Sequence, residues 1–363
     1  MRIATLTLNV YYNYGNMLQK FALYRTLEKF ANFVEVLWHP CTKIFTPYEL
    51  EIERFKINNM SDAADAAFKS VREYKFREFH NTNMHTRFDV PYLDDLVDDY
   101  DFFVVGSDQV WNPDFDFDGR FLEFAPPEKR IAYAASIGVS ELPPNVTDYY
   151  REKISEMPHV SLRERDGVDI VEKLTGKRPL QAIDPVFLLT ADEWRQIAKP
   201  PVWLNQKRYE RGYLLTYFFS GNPPEQVKTL AAELDLPLIN LFDRKNFDYY
   251  VIGIEEFLYL VDHATLLCTQ SFHGTAFATI FKRPFITYKV APHVIKIFSR
   301  MESLLELFGL SERATDLDLK LKVDDPLKID FTRRDEILPV ERDKAFNFLS
   351  KALNTEPHEN FQR

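Results

Sequence analysis

Ala264-Thr265-Leu266-Leu267-Cys268-Thr269-Gln270-Ser271-Phe272-His273-Gly274-Thr275-Ala276-Phe277-Ala278-Thr279-Ile280-Phe281 reads as an apolar strand, a polar turn and a helix. The run Ala264 to Cys268 has the length and unbroken apolar character of a strand buried on both faces, as parallel sheets require. Gly274 to Phe281 continues as a helix that is apolar nearly all round. The turn between them carries a titratable imidazole, His273, beside the small residues Ser271, Gly274 and Thr275. Backbone N–H groups left open at such a helix start bind an anion. The competing reading is a packed turn histidine with its nitrogens satisfied by backbone.

The same strand-turn-helix rhythm extends outward in both directions. After the break at Lys199-Pro200-Pro201, strands are predicted at Tyr213 to Phe219, Leu238 to Phe242, Thr265 to Cys268 and Phe285 to Tyr288. Helices are predicted between them at Pro224 to Leu234, Ile254 to Asp262 and Gly274 to Phe281. Upstream, Ile3 to Leu8, Val34 to Trp38, Phe102 to Val105, Arg130 to Ala134 and Val160 to Leu162 read as strands. Met17 to Phe30, Ala63 to Phe79 and Gly167 to Leu174 have helical period. Alternation of this kind predicts an α/β protein with doubly wound parallel sheets, whose ligands gather outside the carboxyl ends of the strands. A chain of 363 residues is long for one domain. We therefore expect two α/β domains facing across a cleft, 1–190 and 191–335. Val340 to Leu353 has helical spacing and is expected to pack back on the first.

Hydrophobic residues make up 45% of the chain, enough for a substantial core. A net charge of −10 argues against a nucleic-acid partner, and the basic pairs Lys282-Arg283 and Arg333-Arg334 are too short to form a phosphate-binding stripe. Cys41 and Cys268 are the only cysteines and have no ligand company at metal-site spacing. Neither a disulfide framework nor a zinc site is indicated, and a reducing compartment is expected. His263 with His273, and His80 with His85, likewise lack carboxylate or thiolate partners, so no metal is expected. Met1 to Val10 reads as a strand, without the apolar stretch and cleavage site of a signal peptide. No run approaches the roughly 20 apolar residues of a membrane span. A soluble cytoplasmic protein is expected, with a peripheral position at the inner face of a membrane left open.

Three strand-end loops carry the chemistry. Tyr12-Asn13-Tyr14-Gly15-Asn16 follows the first strand, where Gly15 allows close backbone approach and Asn13 and Asn16 offer donors and acceptors. Helix capping is the alternative use of such asparagines. There is no Gly-x-Gly-x-x-Gly dinucleotide fingerprint. In Gly106-Ser107-Asp108-Gln109-Val110-Trp111-Asn112, Asp108 can take a proton, while the Gln109 amide and the Trp111 indole form a surface suited to a sugar ring. A capping aspartate beside a core tryptophan is the competing reading. Ser161-Leu162-Arg163-Glu164-Arg165 places guanidinium groups at a third strand end. Arg163 suits a bidentate grip on carboxylate or phosphate, unless Glu164 locks it in a structural ion pair. Neither Ser107 nor Ser271 sits in a nucleophile elbow, which leaves metal-free acid–base chemistry.

Taken together, Asn13-Tyr14-Gly15-Asn16 with Leu18-Gln19, Gly106 to Asn112, Ala134-Ala135-Ser136-Ile137-Gly138, Ser161-Leu162-Arg163-Glu164, Ile183-Asp184-Pro185 and Ser271-Phe272-His273-Gly274 resemble the polysaccharide pyruvyl transferase family, in that family's order. The resemblance covers roughly residues 3 to 310. It implies a GT-B-like pairing of two Rossmann-like domains. It also implies transfer of pyruvate from phosphoenolpyruvate to a saccharide as a ketal, in cell-surface or exopolysaccharide synthesis and without a cofactor. The resemblance matches Arg163 and His273 to the family's donor-site arginine and histidine, and with Asp108, read from its loop, they are the catalytic candidates. Ser271, Gly274, Thr275 and Arg300 would bind the donor. Asn13, Gly15, Asn16, Ser107, Gln109 and Trp111 would bind a saccharide acceptor, free or lipid-linked, on a wall opposite His273. Two departures stand out. Ser271 replaces an arginine that some members carry, and Asn16 an acidic residue found in others. Arg300, Lys289 or Arg283 are candidates to restore the missing cation, and Asp108 to act as base. A GT-B glycosyltransferase using a nucleotide sugar, or a saccharide- or phosphate-binding protein without turnover, are the alternative readings.

Overall fold

The computed structural model describes residues 1–8, 12–38, 60–88, 90, 92–115, 119–219, 221–289, 295–316 and 323–358, with backbone alone at 60–64 and 295–298. Cys41, and the end of the predicted first strand at Asn9 and Val10, lie outside them.

Among the described residues, twelve strands form two sheets in which every pairing is parallel. The first contains β1 (Arg2–Leu6), β2 (Phe33–Leu37), β3 (Thr86–Arg87), β4 (Phe102–Val105), β5 (Arg130–Ala135), β6 (His159–Leu162) and β7 (Leu180–Gln181). Their order across the sheet is β3-β2-β1-β4-β5-β6-β7. The second contains β8 (Leu214–Tyr217), β9 (Leu238–Asn240), β10 (Leu266–Thr269), β11 (Phe285–Lys289) and β12 (Ala314–Asp316), in the order β12-β11-β10-β8-β9. Strand order reverses between β1 and β4 in the first sheet and between β8 and β10 in the second. Such switch points part the connecting helices to opposite faces and open a crevice at the carboxyl ends of the strands. The loops carrying Gly15, Asp108 and His273 all leave strands that border these points.

The helices that matter for the site are α1 (Tyr14–Leu27), α2 (Met60–Asn83), α3 (Ile254–His263), α4 (Phe272–Phe281), α5 (Ile295–Phe308) and α6 (Thr332–Leu353). Only Arg25 of α1 is exposed, because the helix is buried on all sides. One face covers the first sheet and the other meets α3 and α4 of the second. Tyr14 stacks on Phe257 of α3 at 4.4 Å between ring centroids and donates from its hydroxyl to the Ile252 carbonyl at 2.7 Å. A single apolar core thus runs from Ile3 and Val34 through α1 to Ile254 and Phe277, joining the two sheets. Helix α6 returns to the first sheet: Arg342 donates to the carbonyls of Phe187 and Leu189, and Phe346 stacks on Phe30.

Several element bounds differ from the expectation for local reasons. Helix α1 starts at Tyr14 because the Asn13 side chain accepts from the Asn16 N–H as an N-cap. Helix α4 starts two residues early because Ser271 caps it, accepting from the Gly274 N–H. The edge strands β3, β7 and β12, two or three residues long, carry too little pattern to be read from sequence.

Candidate active site

Arg163, the first residue after β6, is 6% exposed and sits at the centre of the site. Its Nη1 donates to Asp184 Oδ2 at 2.7 Å and its Nη2 to Ser136 Oγ at 3.1 Å. Asp108 Oδ1 lies 3.6 Å from Nη2, and Glu164 Oε2 lies 3.6 Å from Nε. The guanidinium also stands 4.8 Å over the Phe272 ring, a cation–π contact across the two sheets. Burial acts to lower the Arg163 pKa, but the surrounding Asp184, Asp108 and Glu164 carboxylates outweigh it and raise it. Asp184 shows the reverse balance. Burial acts to raise its pKa, yet His273, Arg163 and the Val186 N–H hold the carboxyl well below the usual range.

Arg300 of α5 joins from the other half. Its Nη1 is 3.7 Å from Asp108 Oδ1. With the Gln109 amide turned so that its oxygen faces Arg300, it accepts from both Nη atoms at 3.0 Å. Burial and the nearby Arg163 cation lower the Arg300 pKa. Two guanidiniums and an imidazole thus face three carboxylates. Beside them Arg163, Asp184, Phe272 and Arg300 line a cavity of about 440 Å³ that extends past Gln181 to Arg333.

His273, in the first turn of α4, is wedged between the halves. Its Nε2 is 3.5 Å from Asp184 Oδ2 and has no hydrogen-bond partner. Its Nδ1 faces Gly15, where an added Cβ would lie 1.9 Å from that nitrogen. Gly15 is therefore glycine because the imidazole of another element occupies the side-chain position, in a helix where glycine is otherwise unfavourable. Gly15→Ala is expected to displace His273 from Asp184 and lower kcat at least about tenfold, since small misplacements of catalytic groups have large kinetic costs. Unchanged kcat in a folded Gly15→Ala protein would refute this coupling.

The remaining expected residues are distributed unevenly. Asn13 and Ser271 serve as helix caps. Ser271 takes the Gly274 N–H and the Thr275 N–H bonds to the Ser271 carbonyl, so two of the N–H groups expected to face an anion at the start of α4 are already used. Gly274 packs against Thr269, and Thr275 pairs with Thr287 of β11 at 2.7 Å, between helix and sheet. Ser107 is fully buried, donating to the Ala134 carbonyl. Trp111 is also fully buried, stacked on Phe121 with its Nε1 donating to the Arg120 carbonyl. An indole so enclosed presents no face to a sugar, so Trp111 belongs to the core. Asn16 is buried with its Oδ1 unpartnered, close to the His273 end of α1. Asp108 shares the Arg163 group with Asp184 and His273 and so does not stand on an opposite wall. Of the three candidate replacement cations only Arg300 reaches the site. Lys289 pairs with Glu302, and Arg283 joins Arg195 around Asp262.

Ser136 and Asp184 have site roles not assigned from sequence, while Glu164 stands beside Arg163 as the ion-pair reading expected. Glu164 Oε1 accepts from the N–H groups of Ile137 and Gly138, fixing the turn that presents Ser136. Asp184 caps the turn at Pro185 while binding Arg163. Their motifs were visible, but the contacts between them span many residues of sequence.

A family model described as polysaccharide pyruvyl transferase matches residues 13–290, a span that contains Gly15, Asp108, Arg163, Asp184 and His273. The chain belongs to the polysaccharide pyruvyl transferase family. As a member it is a transferase enzyme, with a saccharide acceptor implied by the family. Arg300 lies beyond the matched span. No curated protein matches the chain. Among solved structures it is similar to a UDP-GlcNAc 2-epimerase from Neisseria meningitidis, at 10% identity over 97% of this chain and 100% of that one, with a TM-score of 0.44. It is also similar to the E. coli ADP-heptose lps heptosyltransferase II, at 12% identity over 95% and 99%, TM-score 0.34. A third is Acinetobacter baumannii MurG, at 10% identity over 98% and 96%, TM-score 0.35. Likenesses this remote add nothing to the two Rossmann-like sheets already described. Among the described residues of this pyruvyl transferase family member, no helix is long and apolar enough to cross a membrane.

Proposed function

We propose that this enzyme transfers the pyruvyl group of phosphoenolpyruvate onto two hydroxyls of one saccharide as a ketal, in the synthesis of a cell-surface or exported polysaccharide. The observation that carries this reading is a charged cluster beside the cavity in which Arg163 Nε and His273 Nε2, buried 3.6 and 3.5 Å from carboxylate oxygens, make no hydrogen bond. Buried donors are normally satisfied, and orphans at such a point mark a place for a ligand's oxygens. A small trianion with carboxylate and phosphate groups fits the two guanidiniums, which bind such planar oxygen pairs in a fork.

In this scheme Arg163 and Arg300 hold the donor, and His273, supported by Asp184, delivers a proton to the methylene carbon C3. An acceptor hydroxyl adds to C2 and loses its proton to Asp108. A second hydroxyl of the same sugar then displaces phosphate from C2, and phosphate carries that proton away. The C2–O bond to phosphate breaks, and two C2–O bonds to sugar form. No cofactor enters, and we place the reaction in the cytoplasm, with a free or lipid-linked acceptor.

Ligand-dependent melting tests the donor. Phosphoenolpyruvate at about 100 times its Kd is expected to stabilise the fold by about 2.7 kcal/mol, which raises Tm by several degrees. Stabilisation by nucleotide diphosphate sugars with none by phosphoenolpyruvate would replace this reading with glycosyl transfer. An acceptor screen with labelled phosphoenolpyruvate then identifies the saccharide.

A further inference from the structure

The three carboxylates around Arg163 are held in different ways. Asp184 is fully buried, hydrogen-bonded to the guanidinium at 2.7 Å and to the Val186 N–H at 3.0 Å. Glu164 is tied to the N–H groups of Ile137 and Gly138. Asp108 has no such tether: among the described residues nothing hydrogen-bonds its carboxylate, and its side chain keeps 14% exposure. Yet its Oδ1 sits between the two guanidiniums, 3.6 Å from Arg163 Nη2 and 3.7 Å from Arg300 Nη1. These are ion-pair distances, too long for hydrogen bonds. The oxygen therefore stands where a ligand's oxygen would bridge the arginines, without making the bonds such a ligand would make.

We propose that Asp108 is a displaceable internal counter-ion: it neutralises the two-arginine clamp in the ligand-free enzyme and leaves when a multiply charged anion takes its place. The inference rests on the donor reading above. It adds that Asp108 selects the donor by charge. An incoming monoanion only replaces one carboxylate by another and gains little. A phosphate dianion, or a phosphate with a neighbouring carboxylate, brings more charge and properly aligned oxygens to the same guanidiniums. Once displaced, Asp108 is released beside the bound donor, which is where the proton of the attacking hydroxyl must go. The base is thus kept occupied until the donor is bound.

Calorimetric titration of the full chain with inorganic phosphate, pyruvate and phosphoenolpyruvate, in wild type and Asp108→Asn, tests this. An opposing charge within about 4–6 Å changes an ionic equilibrium by one or more powers of ten. Asp108→Asn is therefore expected to bind phosphate and phosphoenolpyruvate about tenfold tighter or more, while turning over more slowly. Wild type should bind pyruvate far more weakly than phosphate, and the variant should bind both more tightly, with the larger gain for the multiply charged anion. Phosphoenolpyruvate binding that is equal or weaker in Asp108→Asn overturns the proposal and leaves the donor reading intact. Phosphate binding that tightens while neither protein binds phosphoenolpyruvate overturns the donor reading and keeps the counter-ion. Asp108→Ser, which also lacks the charge, must shift affinity in the same direction. A variant that folds only with added phosphate expresses the same competition, and variants that fold under no condition make Asp108 structural and overturn it.

Discussion

His273→Gln is expected to fold with a Tm close to that of the parent, to bind phosphoenolpyruvate within a few-fold of wild type, and to lose about 10²- to 10⁴-fold in kcat. Glutamine fills similar space between Gly15 and Asp184 and can hydrogen-bond to the carboxylate, but it has no proton to deliver. The buried setting makes the distinction sharp. Asp184 Oδ2 is 3.5 Å from Nε2 and Nδ1 faces Gly15, so a packing role would tolerate glutamine with small loss. Steady-state kinetics with labelled phosphoenolpyruvate decide the matter. A folded glutamine variant with wild-type kcat would make His273 a packed turn residue and remove the proton donor from the scheme.

Arg163→Met should cost about 3–5 kcal/mol of stability, because it leaves a carboxylate buried without its partner. As a donor ligand alone, Arg163 would be removable at little cost to the fold. The structure predicts otherwise, since the side chain is 2% exposed and meets Asp184, Asp108 and Glu164. The loss should depend on pH. In wild type the Asp184 pKa is depressed, so its contribution is complete above the unfolded value of about 3.9 and is lost as pH falls through the lower folded value. Without Arg163 the buried carboxylate loses a partner and takes up a proton more readily. The stability deficit of Arg163→Met should thus be largest near neutral pH and shrink toward pH 4. Denaturant melts of both proteins across that range test the sign. A deficit under about 1 kcal/mol at pH 7 would show that the cluster relaxes or hydrates when the guanidinium is removed.

Much of this architecture was legible because parallel strands and covering helices leave local patterns. Phe102 to Val105 has no residue that could face water, and Ala264 to Phe281 passes from strand to helix within one turn. The loops at the carboxyl ends of those strands could be named for the same reason, and with them Asp108, Arg163 and His273. The short edge strands were not legible, because two residues hold no periodicity.

What the sequence by itself determined is which residue types stand at the strand ends, and hence a polar, charged site on an α/β scaffold. Tertiary structure alone decided how they are used. Trp111 and Asp108 share one loop, yet one is core and the other faces two arginines, because local sequence does not record which side of a turn meets the neighbouring sheet. Gly15 and His273 are far apart in the chain and become neighbours only when α1 packs against α4. Arg300, Lys289 and Arg283 are equivalent cations as sequence, and the docking of α5 brings only Arg300 to Asp108. Charge pairing at a few ångströms falls off with distance in space, and the chain order carries distance only along itself.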